Sequence, residues 1–173
     1  MENKNFPKRK PTRLKYYDYS QPGAYFVTIC TKDKFPFLSK IIVGDGVLDV
    51  PQNQLSKYGK TADKYIRQMN NFYDYINVDK YVIMPNHIHL LLSISNNEIN
   101  LNDGTSRTPS PTNSHIARFV STFKRFCNKE NEKNIWQRSF HDHIIRGKDD
   151  YLKIWEYIDN NIQKWELDCF YTQ

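Results

Sequence analysis

The order of elements in this chain predicts an α+β fold: a ferredoxin-like sandwich, with an antiparallel four-stranded sheet, helices packed on one face and a further C-terminal helix. Three observations carry that expectation. Apolar strand-like runs and helix-period stripes follow one another as strand, helix, strand, strand, helix, strand, helix, and the first six match the split βαβ pattern. Val78 to Met84 and the following run to about Ser95 read as two strands, separated by the turn signal Pro85-Asn86. A length of 173 residues suits one domain with a real core.

Residues 1–22 read as a basic arm, with Lys4, Lys8, Arg9, Lys10, Arg13 and Lys15 against Glu2 and Asp18. Tyr16, Tyr17 and Tyr19 interleave with these cations, which favours an arm lying along phosphates over a plain solubilising tail. The single domain is expected over 23–173. Ala24 to Thr31 reads as a buried first strand. Leu55 to Met69 fits a helix, because Leu55, Tyr58, Ala62, Tyr65, Ile66 and Met69 fall at helical spacing. Val78 to Met84 reads as the second strand, and the third runs on to about Ser95. Residues 96–113 are almost wholly polar, with Gly104, Pro109 and Pro111, and read as a flexible insertion.

Ser114 is placed to cap the next helix, whose apolar stripe is Ile116, Phe119, Val120, Phe123 and Cys127. Lys124 and Arg125 lie around that stripe and are candidates to track phosphates. Phe140 to Arg146 reads as a short strand, and Asp149 to Trp165 as the final helix. On that helix Leu152, Trp155, Ile158, Ile162 and Trp165 form one apolar face.

Composition narrows the function classes. The formal net charge is +6 and the chain holds 12 Tyr, 10 Phe and 3 Trp, a balance that suits a nucleic-acid partner. Cys30, Cys127 and Cys169 are far apart and odd in number, so neither a zinc ribbon nor a disulfide framework is indicated. Reduced thiols and no visible secretory signal or membrane span lead to the expectation of a cytoplasmic protein.

The densest chemical signal is His87-Ile88-His89. Strand side chains alternate, so the two imidazoles share a face, about 7 Å apart along the strand. Ile88, Leu90, Leu92 and Ile94 take the other face, which suits a core. Two histidines so placed can share one divalent ion, each nitrogen about 2 Å from it. The ordinary alternative is a pair of satisfied structural histidines. On the last helix Tyr157 sits off the apolar face, Asn161 lies one turn further on, and Lys153 and Lys164 flank the same strip. A half-exposed Tyr is common, so the spacing alone makes Tyr157 a candidate and no more.

Together these motifs resemble a known family. YFVTICT at 25–31, MPNHIHLLL at 84–92, Phe123-Lys124, IWQRSFHDHIIR at 135–146, and YIDNN followed by Trp165 and Asp168 are similar to the HUH-type single-tyrosine transposases of the IS200/IS605 class. The likeness is nearest to the REP-associated tyrosine transposases, and runs from about Arg13 to Asp168. It implies a metal-dependent transesterase that cleaves and rejoins single-stranded DNA near hairpins through a 5′-phosphotyrosine. His87 and His89 would bind Mg2+ or Mn2+, Asn161 would complete the metal site, and Tyr157 would attack phosphorus. In many REP-associated members the Asn is followed by Pro; here Ile162 follows. Single-stranded or hairpin DNA is the implied partner, with Lys8, Arg9, Lys10, Arg13, Lys15, Tyr16, Lys124, Arg125, Lys153 and Lys164 as candidate DNA contacts. Family members act as monomers or homodimers, and the sequence permits either.

Two rivals differ in what they require. A zinc metallohydrolase would use His87, His89, His141 and His143 and leave Tyr157 idle. A non-catalytic single-stranded nucleic-acid-binding module would bind without metal and form no adduct. His141-Asp142-His143 is expected to be structural or to contact DNA.

Overall fold

A computed structural model describes residues 17–43, 50–95 and 114–171. The basic arm up to Tyr16, residues 44–49, the insertion at 96–113 and the last two residues lie outside them.

The sheet is antiparallel and four-stranded. Its strands are β1 (Gly23–Cys30), β4 (Ile76–Ile83), β5 (His87–Ile94) and β6 (His141–Ile145), in the order β4-β5-β1-β6. Helices α1 (Lys57–Met69) and α2 (His115–Asn131) cover one face, and α3 (Lys148–Asn160) lies on the other. This is the expected α+β architecture.

Alternation along the strands sorts the side chains into two layers. Tyr25, Val27 and Ile29 of β1 and Ile88, Leu90, Leu92 and Ile94 of β5 pack with Ile66, Met69, Phe119 and Phe123 of α1 and α2. On the opposite face Val82, Leu91 and Met84 meet Ile158, with Phe26, Ile145, Ile154 and Trp155 around them. His87 and His89 belong to this second face, so α3 covers them. The register sets Thr28 beside His89 and Cys30 beside His87.

Three details differ from the sequence reading. A small hairpin, β2 (Ser39–Ile42) with β3 (Gln52–Leu55), precedes α1, so Leu55 ends a strand and the helix begins at Lys57. Ser56 caps it, its Oγ accepting from Gly59 N at 3.1 Å. Ser114 caps α2 as expected, accepting from Ala117 N at 3.2 Å.

The third difference is at the end of the chain. The helix expected to reach Trp165 stops at Asn160, turns, and resumes as one 3-10 turn, Trp165–Leu167. Its buried face keeps Trp155, Ile158, Ile162 and Trp165 as expected, but Leu152 is 51% exposed while Tyr151 and Ile154 pack inward. Polar ties to β4 hold the helix in this orientation. Tyr151 donates to Asp79 at 3.0 Å. Lys80 pairs with Asp159 at 2.5 Å and lies over the Trp155 ring.

Candidate functional site

The site sits where β5 begins, under α3. The His87 and His89 Nε2 atoms approach to 3.0 Å, and both rings are buried. Their outer nitrogens are held. His87 Nδ1 lies 2.8 Å from Asn86 Oδ1, and the Asn86 amide donates to the Phe170 carbonyl at 2.7 Å. That second bond fixes which way the amide points. Its Oδ1 therefore faces His87 and accepts a hydrogen bond from Nδ1–H, leaving the Nε2 lone pair free. His89 Nδ1 lies 2.9 Å from the Thr28 hydroxyl, which can accept as well as donate. When the Thr28 hydroxyl accepts, Nδ1 carries the proton on both rings and two lone pairs face one point. Phe26 stacks on the His89 ring and fixes its plane.

Helix α3 and the turn after it bring three more groups. The Tyr157 hydroxyl is 3.2 Å from His89 Nε2 and donates to Asp168 Oδ2 at 3.0 Å. The Asn161 amide nitrogen donates to the same oxygen at 3.3 Å. Asn161 is buried at the C-terminal cap of α3, and its Oδ1 meets no donor. Asp168 Oδ1 accepts from Phe170 N at 2.7 Å. Asp168 is 1% exposed at its side chain and stands 3.9 Å from His87 Nε2 and 4.0 Å from His89 Nε2. That is beyond a hydrogen bond, so field rather than a shared proton joins it to the rings.

Burial sets the charge states. It lowers the His87 imidazole to about 3, helped by His89 and opposed by Asp168, so the ring stays neutral. It lowers His89 as well, against the pull of Asp168. Burial alone would raise the Asp168 carboxyl. The His89 ring, the Phe170 N–H, the His87 ring and the Tyr157 hydroxyl outweigh it and hold the carboxyl below the usual carboxylate range. Tyr157 is raised by burial and by the neighbouring carboxylate, with Asn161 working the other way. Left to itself this phenol keeps its proton.

The donor set fits a divalent ion. His87, His89 and Asp168 each offer a ligand atom, all within 4.8 Å of one another. A 3.0 Å separation between imidazole nitrogens is the chord of two ligands at about 2.1 Å set roughly at a right angle. The orphaned Asn161 oxygen supplies a hard donor beside them. Neutral imidazoles bind metal without first losing a proton.

The sequence candidates separate clearly. His87, His89, Tyr157 and Asn161 converge, and Lys164 lines a cavity of about 300 Å3 with Tyr157, Asn161 and Asp168. Lys153 is exposed one turn before Tyr157, and Arg125 is exposed on α2. Lys124 is turned inward: its ammonium donates to the Gln137 and Ser139 carbonyls at 2.7 and 2.9 Å, and burial lowers it to about 8. It clamps the approach to β6 and does not face a phosphate track. Lys8, Arg9, Lys10, Arg13, Lys15 and Tyr16 lie outside the described residues. His143 pairs with Asp150 at 2.9 Å and His141 is exposed. Among the described residues neither histidine belongs to a metal-competent group, which removes the four-histidine zinc site.

Asp168, Asn86 and Thr28 carry roles that spacing did not supply. Asp168 figured only as part of a resembling pattern, Asn86 as a turn former, and Thr28 as a strand residue. Their signals are three-dimensional: an inter-strand register and a turn that folds the chain end back. Cys30 and Cys127 are buried and their thiols are raised by burial, while Cys169, next to Asp168, is exposed.

Comparison with known proteins follows the same line. No protein-family model matches the chain. An uncharacterized protein of Haemophilus influenzae is 34% identical over 178 residues, spanning 95% of this chain and 93% of that one. A candidate REP-associated tyrosine transposase of the same organism is 25% identical over 144 residues, covering 83% of this chain and 72% of its own. A solved REP-associated tyrosine transposase bound to a REP hairpin superposes with a TM-score of 0.58 over 88% of this chain and 74% of the other, at 17% identity, a likeness of fold. The chain is thus similar in sequence to a candidate REP-associated tyrosine transposase and shares its fold with a solved one.

Proposed function

We propose that this protein is a divalent-cation-dependent transesterase that cleaves and rejoins single-stranded DNA near hairpins through a 5′-phosphotyrosine. The observation that carries the reading is the Tyr157 hydroxyl, 3.2 Å from His89 Nε2 and 3.0 Å from Asp168 Oδ2, at the mouth of a neutral histidine pair. A structural tyrosine does not need a metal-competent group beside its oxygen.

His87, His89 and Asp168 would hold the ion, with Asn161 Oδ1 completing the set. Mn2+ suits two imidazoles at least as well as Mg2+ does. When bound, the cation polarises non-bridging phosphate oxygens and steadies the leaving 3′-oxygen. Asn86 and Thr28 keep both rings in the binding tautomer. Asp168 aims the phenol and is the nearest acceptor for its proton. The phenolic oxygen forms the bond to phosphorus as the P–O3′ bond breaks, and a 3′-hydroxyl leaves. The reverse step, with a second 3′-hydroxyl attacking, restores Tyr157 and joins the new end.

Covalent trapping tests this directly. Labelled single-stranded hairpin oligonucleotides are incubated with the protein and Mn2+, then run on a denaturing gel. The expected result is a protein-linked label that disappears with Tyr157→Phe, with His87→Ala and with EDTA. A label that survives Tyr157→Phe rejects the nucleophile. EDTA-insensitive gel-shift binding without any adduct, across a broad oligonucleotide panel, supports the non-catalytic module instead.

A further inference from the structure

Directly after β1 the chain makes a turn that L-residues avoid. Asp33 and Lys34 are both left-handed, with φ of 54° and 55°, and neither is glycine. Such conformations persist only where surrounding structure imposes them, and they gather at functional sites. Here the imposition is visible. Lys32 N donates to Ile135 O at 2.7 Å and Lys34 N to Thr31 O at 3.2 Å. The Thr31 hydroxyl reaches the Phe35 carbonyl at 2.7 Å and the Asn86 carbonyl at 2.9 Å. The turn is thus stapled to the residue that orients His87.

Its direction gives it a use. The Lys34 ammonium lies 5.1 Å above the Phe170 ring, and that ring lies 4.7 Å from the His87 ring. Lys34 is near enough that its charge contributes to keeping His87 neutral. Among the described residues no acidic side chain forms an ion pair with it. Next in the chain, Phe35 is 58% exposed, so the face of its ring is open to solvent. Phe35 stands 4.6 Å from Phe37, and the Lys133 ammonium lies 4.7 Å over the Phe37 ring and 5.9 Å over Tyr58. Lys34, near the histidine pair through Phe170, is thus followed in the chain by the open Phe35 ring, which contacts Phe37 under the Lys133 ammonium.

We infer that this strip is the track for the unpaired nucleotides flanking the reacting phosphate, with Lys34 on a backbone phosphate and Phe35 stacking on the adjoining base. A cation beside an open ring is what a single strand needs, since each nucleotide offers one charge and one flat face. The inference rests on the transesterase reading for its substrate class, but its test does not require turnover.

Binding is measured in EDTA by fluorescence anisotropy, with a bare hairpin and the same hairpin carrying unpaired flanks on both sides. Phe35→Ala is expected to weaken the flanked oligonucleotide by about 5- to 100-fold and to leave the bare hairpin within twofold. Lys34→Asn, chosen because Asn accepts a left-handed backbone, is expected to reduce the slope of log affinity against log salt by about 0.7, one phosphate's worth on a single strand. Thermal melts of both variants check that the fold is intact. Wild-type affinity and salt slope in both variants overturn the track, as does equal weakening of flanked and bare hairpins. If wild-type protein still gives a Tyr157-dependent adduct in that case, only the track has failed. An absent adduct with flank-dependent binding intact sinks the catalytic reading and leaves the track standing.

Discussion

At the residue scale the site depends on where two protons sit. Thr28 and Asn86 hold the outer nitrogens of His89 and His87. Thr28→Val keeps shape and removes the acceptor, so Mn2+ affinity by calorimetry is expected to fall about 10- to 100-fold with the melting temperature little changed. An unchanged affinity would remove Thr28 from the site. Asp168→Asn is expected to abolish adduct formation more completely than metal binding, because it loses the phenol's acceptor as well as a ligand. Acid should act on the free protein through the same rings. Burial keeps His87 neutral down to about 3, whereas an unfolded histidine protonates near 6.5. The unfolded chain therefore binds protons that the fold refuses, and this contribution to stability is full above about pH 6.5 and shrinks as pH falls toward 3. Urea midpoints between pH 7 and 4 should drop in the wild type and drop less in His87→Leu. The histidine pair was legible because a strand's alternation is a short-range rule, whereas helix spacing made Tyr157 only a candidate and the YIDNN resemblance singled it out. Asp168's place beside them was not legible, since it follows from a turn of the chain that no periodicity encodes.

At the element scale the strands were legible and the joints were not. β1, β5 and α2 announced themselves through apolar periodicity and, for α2, through Ser114. The β2–β3 hairpin was missed because its strands, Ser39–Ile42 and Gln52–Leu55, are four residues each and half polar. The end of α3 was missed because Ile162 and Trp165 continue the helical wheel while the backbone has already turned; both still pack on the same cluster. One joint gives a sharp expectation. A Cβ on Gly59 would sit 2.0 Å from the Leu38 carbonyl oxygen, the group that also accepts from Ser56 N. Gly59→Ala, usually favourable within a helix, is here expected to cost about 1–3 kcal/mol by urea denaturation. A stabilised Gly59→Ala protein would mean that the β3–α1 corner is not as close as described.

At the scale of the whole molecule, both halves of the site come from one chain: the histidines on a strand in the middle of the sheet, the tyrosine on a helix over it. A mixture of Tyr157→Phe and His87→Ala proteins is therefore expected to form no adduct, since neither polypeptide holds a complete set. Recovery of activity on mixing would show that the helix is exchanged between copies. Among the described residues no helix is long and apolar enough to cross a membrane. The cysteines add something practical. Two are sealed in the interior, and Cys169 alone lies open, adjacent to Asp168. A maleimide dye or nitroxide offered to the native protein should attach there selectively, giving an environment-sensitive reporter on the closing turn without any engineered position.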